Sequence, residues 1–133
     1  MGKKSRTKGA AFEREIAKAM RPHWVEARRG GHDQAGPHGS PDVDGTPYWI
    51  ECKRYRKVTR GIILAAHEQA DRAADRAHDD RPTLVVTRSD NEKAQCHFRA
   101  AKTLPDTGAL VVVIASVPFA EWLDAVKNTD GEA

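Results

Sequence analysis

The spacing of apolar residues along the chain predicts three helices and six strands, in the order α-β-β-β-α-β-β-β-α. The first helix is predicted over Gly9–Met20. The positions i, i+4 and i+8 of this segment are occupied by Phe12, Ile16 and Met20, which is the spacing of one buried helical stripe. Glu13 borders that stripe, because it lies three residues before Ile16 on the same side of the helix.

Three short strands are predicted between the first helix and the second. They are Trp24–Arg28, Asp42–Asp44 and Tyr48–Lys53. The third alternates in polarity and places Glu51 and Lys53 on one face. Because Gly45–Pro47 supplies turn residues, we expect a hairpin that brings Asp42 close to Glu51. The glycine-rich segment Arg29–Pro41 is predicted to be a functional loop or disordered.

The second half of the chain predicts one long helix, three strands and a final helix. The long helix covers Ile62–Asp79 and carries a narrow stripe of alanines, namely Ala66, Ala70, Ala73, Ala74 and Ala77. The strands are Thr83–Arg88, Ala94–Arg99 and Leu110–Ala115. The last strand is almost continuously apolar, which is typical of a strand covered on both faces. Ser116 and Pro118 are expected to open the final helix, so the whole pattern predicts an α/β fold with a mixed sheet flanked by helices.

Length and composition indicate one small globular domain. The chain has 133 residues, of which 39% are hydrophobic and 31% charged, which is too apolar for a disordered chain and too polar for a membrane protein. We expect residues 9–133 to form this domain and the basic residues 1–8 to form a mobile tail. Two cysteines are too few for a disulfide framework, and no secretory signal or membrane-spanning run is visible. A cytoplasmic location is therefore expected.

The formal net charge of +3 conceals an uneven distribution. Residues 1–60 carry 14 basic and 7 acidic side chains, whereas residues 61–133 carry 8 basic and 12 acidic ones. A basic half of this kind indicates a surface that binds a polyanion. The residues expected to contact a nucleic-acid backbone are Lys3, Lys4, Arg6, Lys8, Arg28, Arg29, Arg54, Arg56, Lys57 and Arg60.

Three carboxylates and one ammonium group are expected to converge at the predicted hairpin, namely Glu13, Asp42, Glu51 and Lys53. Carboxylates at such short range repel one another unless a cation lies between them, and a set of oxygen ligands favours a hard ion such as Mg²⁺ or Mn²⁺. A bound ion of this type polarises a phosphate and lowers the pKa of a water molecule. Lys53 would orient that water or stabilise charge on the phosphate. Asp44 is either a turn residue or a second acidic candidate on the same strand.

These residues resemble a known family of enzymes. Pro41-Asp42 followed by Glu51-Cys52-Lys53 looks like the PD-(D/E)xK signature of metal-dependent nucleases. The upstream segment Lys8–Glu15, with the sequence KGAAFERE, is similar to the opening helix of the archaeal-type Holliday-junction resolvases within that superfamily. The order of the elements also resembles the αβββαβ core of the restriction-endonuclease-like fold, here with an additional C-terminal strand and helix. The resemblance covers residues 8–88 and is weak beyond them.

The resemblance implies a Mg²⁺-dependent DNA endonuclease that acts in DNA recombination or repair, with Mn²⁺ as a substitute for Mg²⁺. In that family the metal is held by the counterparts of Glu13, Asp42 and Glu51 and of the Cys52 backbone carbonyl. Lys53 would assist the nucleophile, and Gln69 matches a polar residue that often faces the site. A bacterial or phage-infected cell is the setting that the resemblance suggests.

Several alternatives are compatible with the sequence. No base-reading element is identifiable in this short chain, so recognition of DNA shape, such as a branched junction, is expected. Symmetric cutting of two strands needs two active sites, which predicts a C2 homodimer. A nicking, repair or restriction-type nuclease guided by a partner is a second possibility, and a non-catalytic DNA-binding module is a third. A zinc cluster is disfavoured, because no CxxC or HxxxH spacing joins its candidates His23, His32, Asp33, His38 and Cys52.

Overall fold

The computed structural model describes residues 2–31 and 39–130, and its elements follow the predicted order. They are α1 (Gly2–Met20), β1 (Arg28–Arg29), β2 (Val43–Asp44), β3 (Trp49–Tyr55), α2 (Arg60–Arg76), β4 (Thr83–Ser89), β5 (Gln95–Thr103), β6 (Leu110–Pro118) and α3 (Phe119–Asp130). The strands form a mixed sheet in the order β1-β2-β3-β4-β5-β6, in which β3 and β4 run parallel and the other neighbours antiparallel. The predicted α/β class with a mixed sheet is therefore confirmed.

Apolar side chains on the two faces of the sheet account for the placement of the helices. One face is covered by α1 and α3, through Phe12, Ile16, Met20, Phe119 and Trp122. The opposite face is covered by α2, whose alanine stripe packs against the buried Trp49 and has Ala66, Ala70 and Ala74 inaccessible to solvent. Small side chains let this helix lie close to the strands, as the sequence predicted. None of the helices in the described ranges combines the length and the apolar character needed to cross a membrane.

Helix α1 begins earlier than predicted. Its first residue is Gly2 rather than Gly9, so residues 2–8, which we expected to form a mobile tail, are helical. This segment contains no proline, and lysine and arginine are good helix formers, while one interior glycine costs only about 1 kcal/mol. Lys8 also lies 2.6 Å from Asp90 in the turn after β4, and this ion pair links the first half of α1 to the sheet.

The first strand is shorter than predicted. The segment 24–27 makes turns instead of a strand, because the Trp24 amide donates to the Met20 carbonyl and the Ala27 amide donates to the Trp24 carbonyl. Only Arg28 and Arg29 pair with β2. The Trp24 ring packs against Tyr48, with 5.9 Å between the ring centroids, so Trp24 contributes to the core although it is not part of a strand.

The last strand contradicts the expectation for Leu110–Ala115. We expected this run to be covered on both faces, but β6 forms the outer edge of the sheet, where Leu110 is 70% and Val112 64% exposed. The physical reason is the placement of the helices, because α2 packs on β3 and β4, and within residues 2–31 and 39–130 no further strand pairs with β6. The strand continues through Pro118, so the final helix begins at Phe119 rather than at Ser116.

The turn between β2 and β3 depends on a glycine. Gly45 has a φ of +82°, and a Cβ atom at this position would lie 2.1 Å from the carbonyl oxygen of Glu26. The Asp44 carboxylate accepts a hydrogen bond from the Gly45 amide at 2.8 Å and closes the turn. Backbone conformation and close approach therefore both require glycine here.

We expect Gly45→Ala to lower the free energy of unfolding by about 3 kcal/mol, because it combines an unfavourable φ with a backbone collision. Gly108→Ala is the matched control, since Gly108 has a φ of +72° but no atom within 4 Å of the added Cβ. That variant should lose only about 1 kcal/mol. Urea denaturation measures both changes, and equal losses would show that the contact with Glu26 does not matter.

Candidate active site

The β2–β3 hairpin places Asp42 beside the middle of β3. The Asp42 amide donates to the Ile50 carbonyl at 2.8 Å, and its Oδ2 accepts a hydrogen bond from the Cys52 amide at 2.8 Å. Glu51 is 7% exposed, and it lies close enough to Asp42 for the charge on Asp42 to raise the pKa of Glu51. The hairpin thus brings together the two carboxylates that the turn residues were expected to place close to each other.

Glu13 reaches the same region from α1, on which it borders the buried stripe. Its side chain is 12% exposed, and its negative charge contributes to raising the pKa of Asp42. The Arg29 guanidinium donates from Nε to Glu13 Oε1 at 2.8 Å. Three carboxylates are therefore in electrostatic contact, and they come from α1, from the residue before β2 and from β3. The Arg29 guanidinium of β1 is paired with one of them, Glu13.

Lys53 contacts this group from the same strand as Glu51. Its Nζ atom lies 3.4 Å from Glu51 Oε1 and donates to Gln69 Oε1 at 3.0 Å. Gln69 is on α2, so this helix fixes the position of the ammonium group over the carboxylates. The alternation of β3 puts both charged side chains on the face that α2 covers, opposite Ile50 and Cys52 in the core.

Burial and mutual repulsion change the protonation of the two central carboxylates. Burial raises the pKa of Glu51 to about 8, and the charge on Asp42 acts in the same direction. Burial, together with the charge on Glu13, raises the pKa of Asp42 as well. Lys53 opposes both shifts but does not cancel them. At neutral pH the pair therefore holds a proton, which a divalent cation bound by the same oxygens would displace.

The donor set fits a hard divalent cation in its chemistry. The oxygens of Glu13, Asp42 and Glu51 are buried or half-buried, and the Cys52 thiol is unsuited as a ligand because burial raises its pKa well above the usual range. Within residues 2–31 and 39–130 no three acidic, histidine or cysteine side chains already form a group that could hold a metal ion. Glu13 is paired with Arg29, so a metal ion bound by Glu13 would have to share or replace this ion pair. The role of the Cys52 carbonyl stays a prediction.

Seven of the ten basic residues expected to contact DNA have side chains that the structure describes, and these seven divide into two groups. Several are held by acidic partners, since Arg28 lies 3.9 Å from Asp44, Arg29 pairs with Glu13, and Lys8 and Arg54 share Asp90. The others, Arg56, Lys57 and Arg60, are exposed in the segment that leads from the end of β3 into α2. The side chains of Lys3, Lys4 and Arg6 lie outside the described part of the chain.

Asp44 is held in the turn and away from the carboxylate group. Its Oδ1 accepts hydrogen bonds from Arg81 at 2.9 Å and from the Gly45 amide at 2.8 Å. Partial burial would raise the pKa of Asp44, but the hydrogen bonds from Arg81 and the Gly45 amide, together with the charges of Arg81 and Arg28, keep this pKa below its usual value. These contacts assign Asp44 a structural role in the hairpin.

A group of buried histidines on the α2 face of the sheet was not predicted from the sequence. Both ring nitrogens of His97 are hydrogen-bonded, Nε2 to Thr87 Oγ1 and Nδ1 to Ser116 Oγ, each at 2.7 Å. His67 of α2 is 2% exposed, and in the described residues neither of its ring nitrogens has a hydrogen-bond partner. The position of His67 among the alanines of the α2 stripe was a sequence signal that could have indicated its burial. No sequence pattern links it to His97, which is on another element.

This network predicts loss of stability in acid. Burial, reinforced by His67, lowers the pKa of His97 to about 4, whereas the unfolded chain binds this proton near pH 6.5. Between these values only the unfolded state is protonated, so stability should fall by about 3 kcal/mol as the pH drops from 6.5 to 4. Urea unfolding of His97→Gln should lack this component, whereas the half-buried His23→Gln should retain it. Equal pH slopes for His97→Gln and the wild type would contradict this prediction.

Of the residues weighed for the disfavoured zinc cluster, only His23 and Cys52 lie in the described part of the chain, and neither belongs there to a group of side chains that could hold a metal ion. His23 packs against the Trp24 ring with 5.8 Å between centroids, and the side chain of Cys52 on β3 packs in the core with α1. His32, Asp33 and His38 lie outside the described residues.

Comparison of the chain with protein-family models and with curated protein sequences found no match.

Proposed function

We propose that this chain is a Mg²⁺-dependent DNA endonuclease that hydrolyses phosphodiester bonds, with the PD-(D/E)xK arrangement that its sequence resembles. The observation that carries the proposal is the convergence of Glu13, Asp42, Glu51 and Lys53 from α1, the hairpin and β3. A buried pair of carboxylates with raised pKa is unfavourable for stability, and such pairs are typical of sites that bind a cation or move a proton.

Each residue has a distinct task in this proposal. Glu13, Asp42 and Glu51 would hold Mg²⁺ or Mn²⁺, which when bound supplies charge to polarise the scissile phosphate and acidifies a water molecule. Lys53 donates hydrogen bonds to the attacking water or to the phosphate oxygen on which negative charge develops. Gln69 accepts from Lys53 and fixes the direction of its ammonium group. Asp42 keeps its own orientation through the Cys52 amide.

Binding of the DNA backbone is assigned to the exposed basic residues next to this site. Arg56, Lys57 and Arg60 follow β3 directly, so phosphates held by them would lie close to Lys53. Arg28 and Arg29 lie on β1, which pairs with β2, so β2 lies between these arginines and β3 in the sheet. Contacts of this type are sequence-independent, which favours selection of DNA by shape, as in a branched junction.

The test compares three substrates of matched sequence, namely a four-way junction, linear duplex and single-stranded DNA, with purified protein and Mg²⁺. The resolvase-like proposal expects paired, symmetric incisions confined to the junction. Equal cutting of all three substrates would leave a metal-dependent nuclease but contradict junction selectivity. Metal-dependent nicks in duplex DNA that need an added partner protein would favour the nicking or repair enzyme.

A further inference from the structure

The sheet has two edges that differ in how they are protected. At one edge, β1 contains two residues, and both are arginines, Arg28 and Arg29. At the other edge, β6 covers the nine residues Leu110–Pro118 without one charged side chain. Natural edge strands are usually short, charged or interrupted, because an open row of backbone donors and acceptors pairs with other strands. An edge such as β6 is therefore expected to be covered.

The side chains of β6 are apolar and exposed on both faces of the sheet. Leu110 and Val112 share a face and are 70% and 64% exposed, and Val113 on the other face is 41% exposed. Ser116, on the same face as Val112, is bonded to the buried His97, so the strand is anchored at its C-terminal half. Apolar surface on either side of an open hydrogen-bonding edge is the arrangement that favours addition of another strand.

We propose that β6 pairs antiparallel with β6 of a second copy of this chain, joining the two sheets across a twofold axis. Charge favours a second copy of β6 as the partner strand, because β6 is neutral and meets no like charge when it pairs with itself. Pairing of β1 with itself would instead place arginines opposite each other. A twofold axis perpendicular to the sheet requires one residue to face its own copy. The middle of the strand puts Val113 or Ile114 there. Pro118, which lacks an amide hydrogen, ends the pairing.

The size of this edge sets the expected affinity. Nine extended residues span about 30 Å, and a sheet is about 10 Å thick, so the paired edge has a cross-section of roughly 300 Å² per copy. This is smaller than the roughly 800 Å² per partner of a stable interface, although the shared backbone hydrogen bonds add to it. We therefore expect a weak, reversible dimer with a dissociation constant on the order of micromolar. This inference does not depend on nuclease activity, since assembly is measured without DNA.

Sedimentation velocity over a range of protein concentrations tests the assembly. The wild type should shift from monomer to dimer as the concentration rises, and Val113→Lys, which opposes two like charges near the axis, should weaken the dimer at least 10-fold. The matched control is Val25→Lys, because Val25 is 82% exposed and lies outside β6. Circular dichroism verifies that both variants fold. A wild type that stays monomeric at about 100 μM, well above the dissociation constant of a micromolar dimer, would overturn the proposal, as would an unaffected Val113→Lys dimer.

Cysteine cross-linking tests the pairing itself. The native Cys52 and Cys96 are buried, so an added thiol is the accessible one. With diamide as the oxidant, Val113→Cys or Ile114→Cys should form a disulfide between copies, since facing residues of paired strands lie within disulfide range. Val25→Cys serves as the control for random collisions. Absence of a disulfide at both β6 positions, or equal cross-linking at position 25, would overturn antiparallel β6 pairing.

Discussion

Lys53→Ala should lower the single-turnover rate of DNA cleavage by about 10²–10³-fold at saturating Mg²⁺, because a positioned donor to the reacting phosphate or water is lost. The affinity for DNA should change by less than about threefold, since backbone binding is shared among many basic residues. Quenched time courses measure the rate, and gel shifts in EDTA measure binding. The result would separate an active nuclease from a non-catalytic DNA-binding module.

A matched substitution makes this comparison specific. Lys93→Ala removes an exposed lysine from the turn after β4, away from the carboxylates, and should leave the cleavage rate unchanged. Gln69→Ala should give an intermediate loss, because it frees the Lys53 ammonium group without removing it. If Lys53→Ala and Lys93→Ala lower the rate equally, the ammonium group of Lys53 has no special role.

Glu51→Gln should raise the free energy of unfolding of the metal-free protein at pH 8 by about 3 kcal/mol. The folded state binds a proton at Glu51 up to a pKa of about 8, whereas the unfolded chain releases it near 4.5. Stability from this residue is therefore complete below pH 4.5 and is lost as the pH rises to 8. The upper bound is about 5 kcal/mol at 1.36 kcal/mol per pKa unit. A glutamine keeps the shape and avoids the buried charge.

The same variant should differ from the wild type by less than about 0.5 kcal/mol at pH 4.5, because Glu51 is neutral in the folded state and only half ionised in the unfolded chain. Chemical denaturation at pH 4.5 and pH 8 measures the two differences directly. Addition of Mg²⁺ at pH 8 should stabilise the wild type and leave Glu51→Gln nearly unchanged, because the variant lacks one of the proposed metal ligands. A variant that is less stable than the wild type at pH 8 without metal would contradict the account of the buried carboxylates.

Much of the fold could be predicted because its signals are local. The order of the elements follows from apolar spacing, and the hairpin follows from turn residues directly between two short strands. The proximity of Asp42 and Glu51 is a consequence of that hairpin, and the placement of Glu51 and Lys53 on one face is a consequence of strand alternation. These relations extend over about ten residues and need no knowledge of the rest of the chain.

Features that depend on distant elements could not be predicted. The exposure of β6 follows from where α2 lies on the sheet, and an apolar run looks the same whether it is covered or open. The pairing of Asp44 with Arg81 joins residues 37 positions apart, and that of Arg29 with Glu13 joins two elements across a turn. The His97 network likewise needs three strands to be in register.

The most direct test of the central claim measures cleavage of an end-labelled four-way junction by the wild type and by Glu51→Gln, each with Mg²⁺ and with EDTA. The account predicts product only from the wild type with Mg²⁺, with Mn²⁺ as an effective substitute, while both proteins bind the junction. Failure of the wild type to cut branched, nicked or linear DNA with either metal would contradict it. Equal cleavage by Glu51→Gln, or cleavage that persists in EDTA, would contradict it as well.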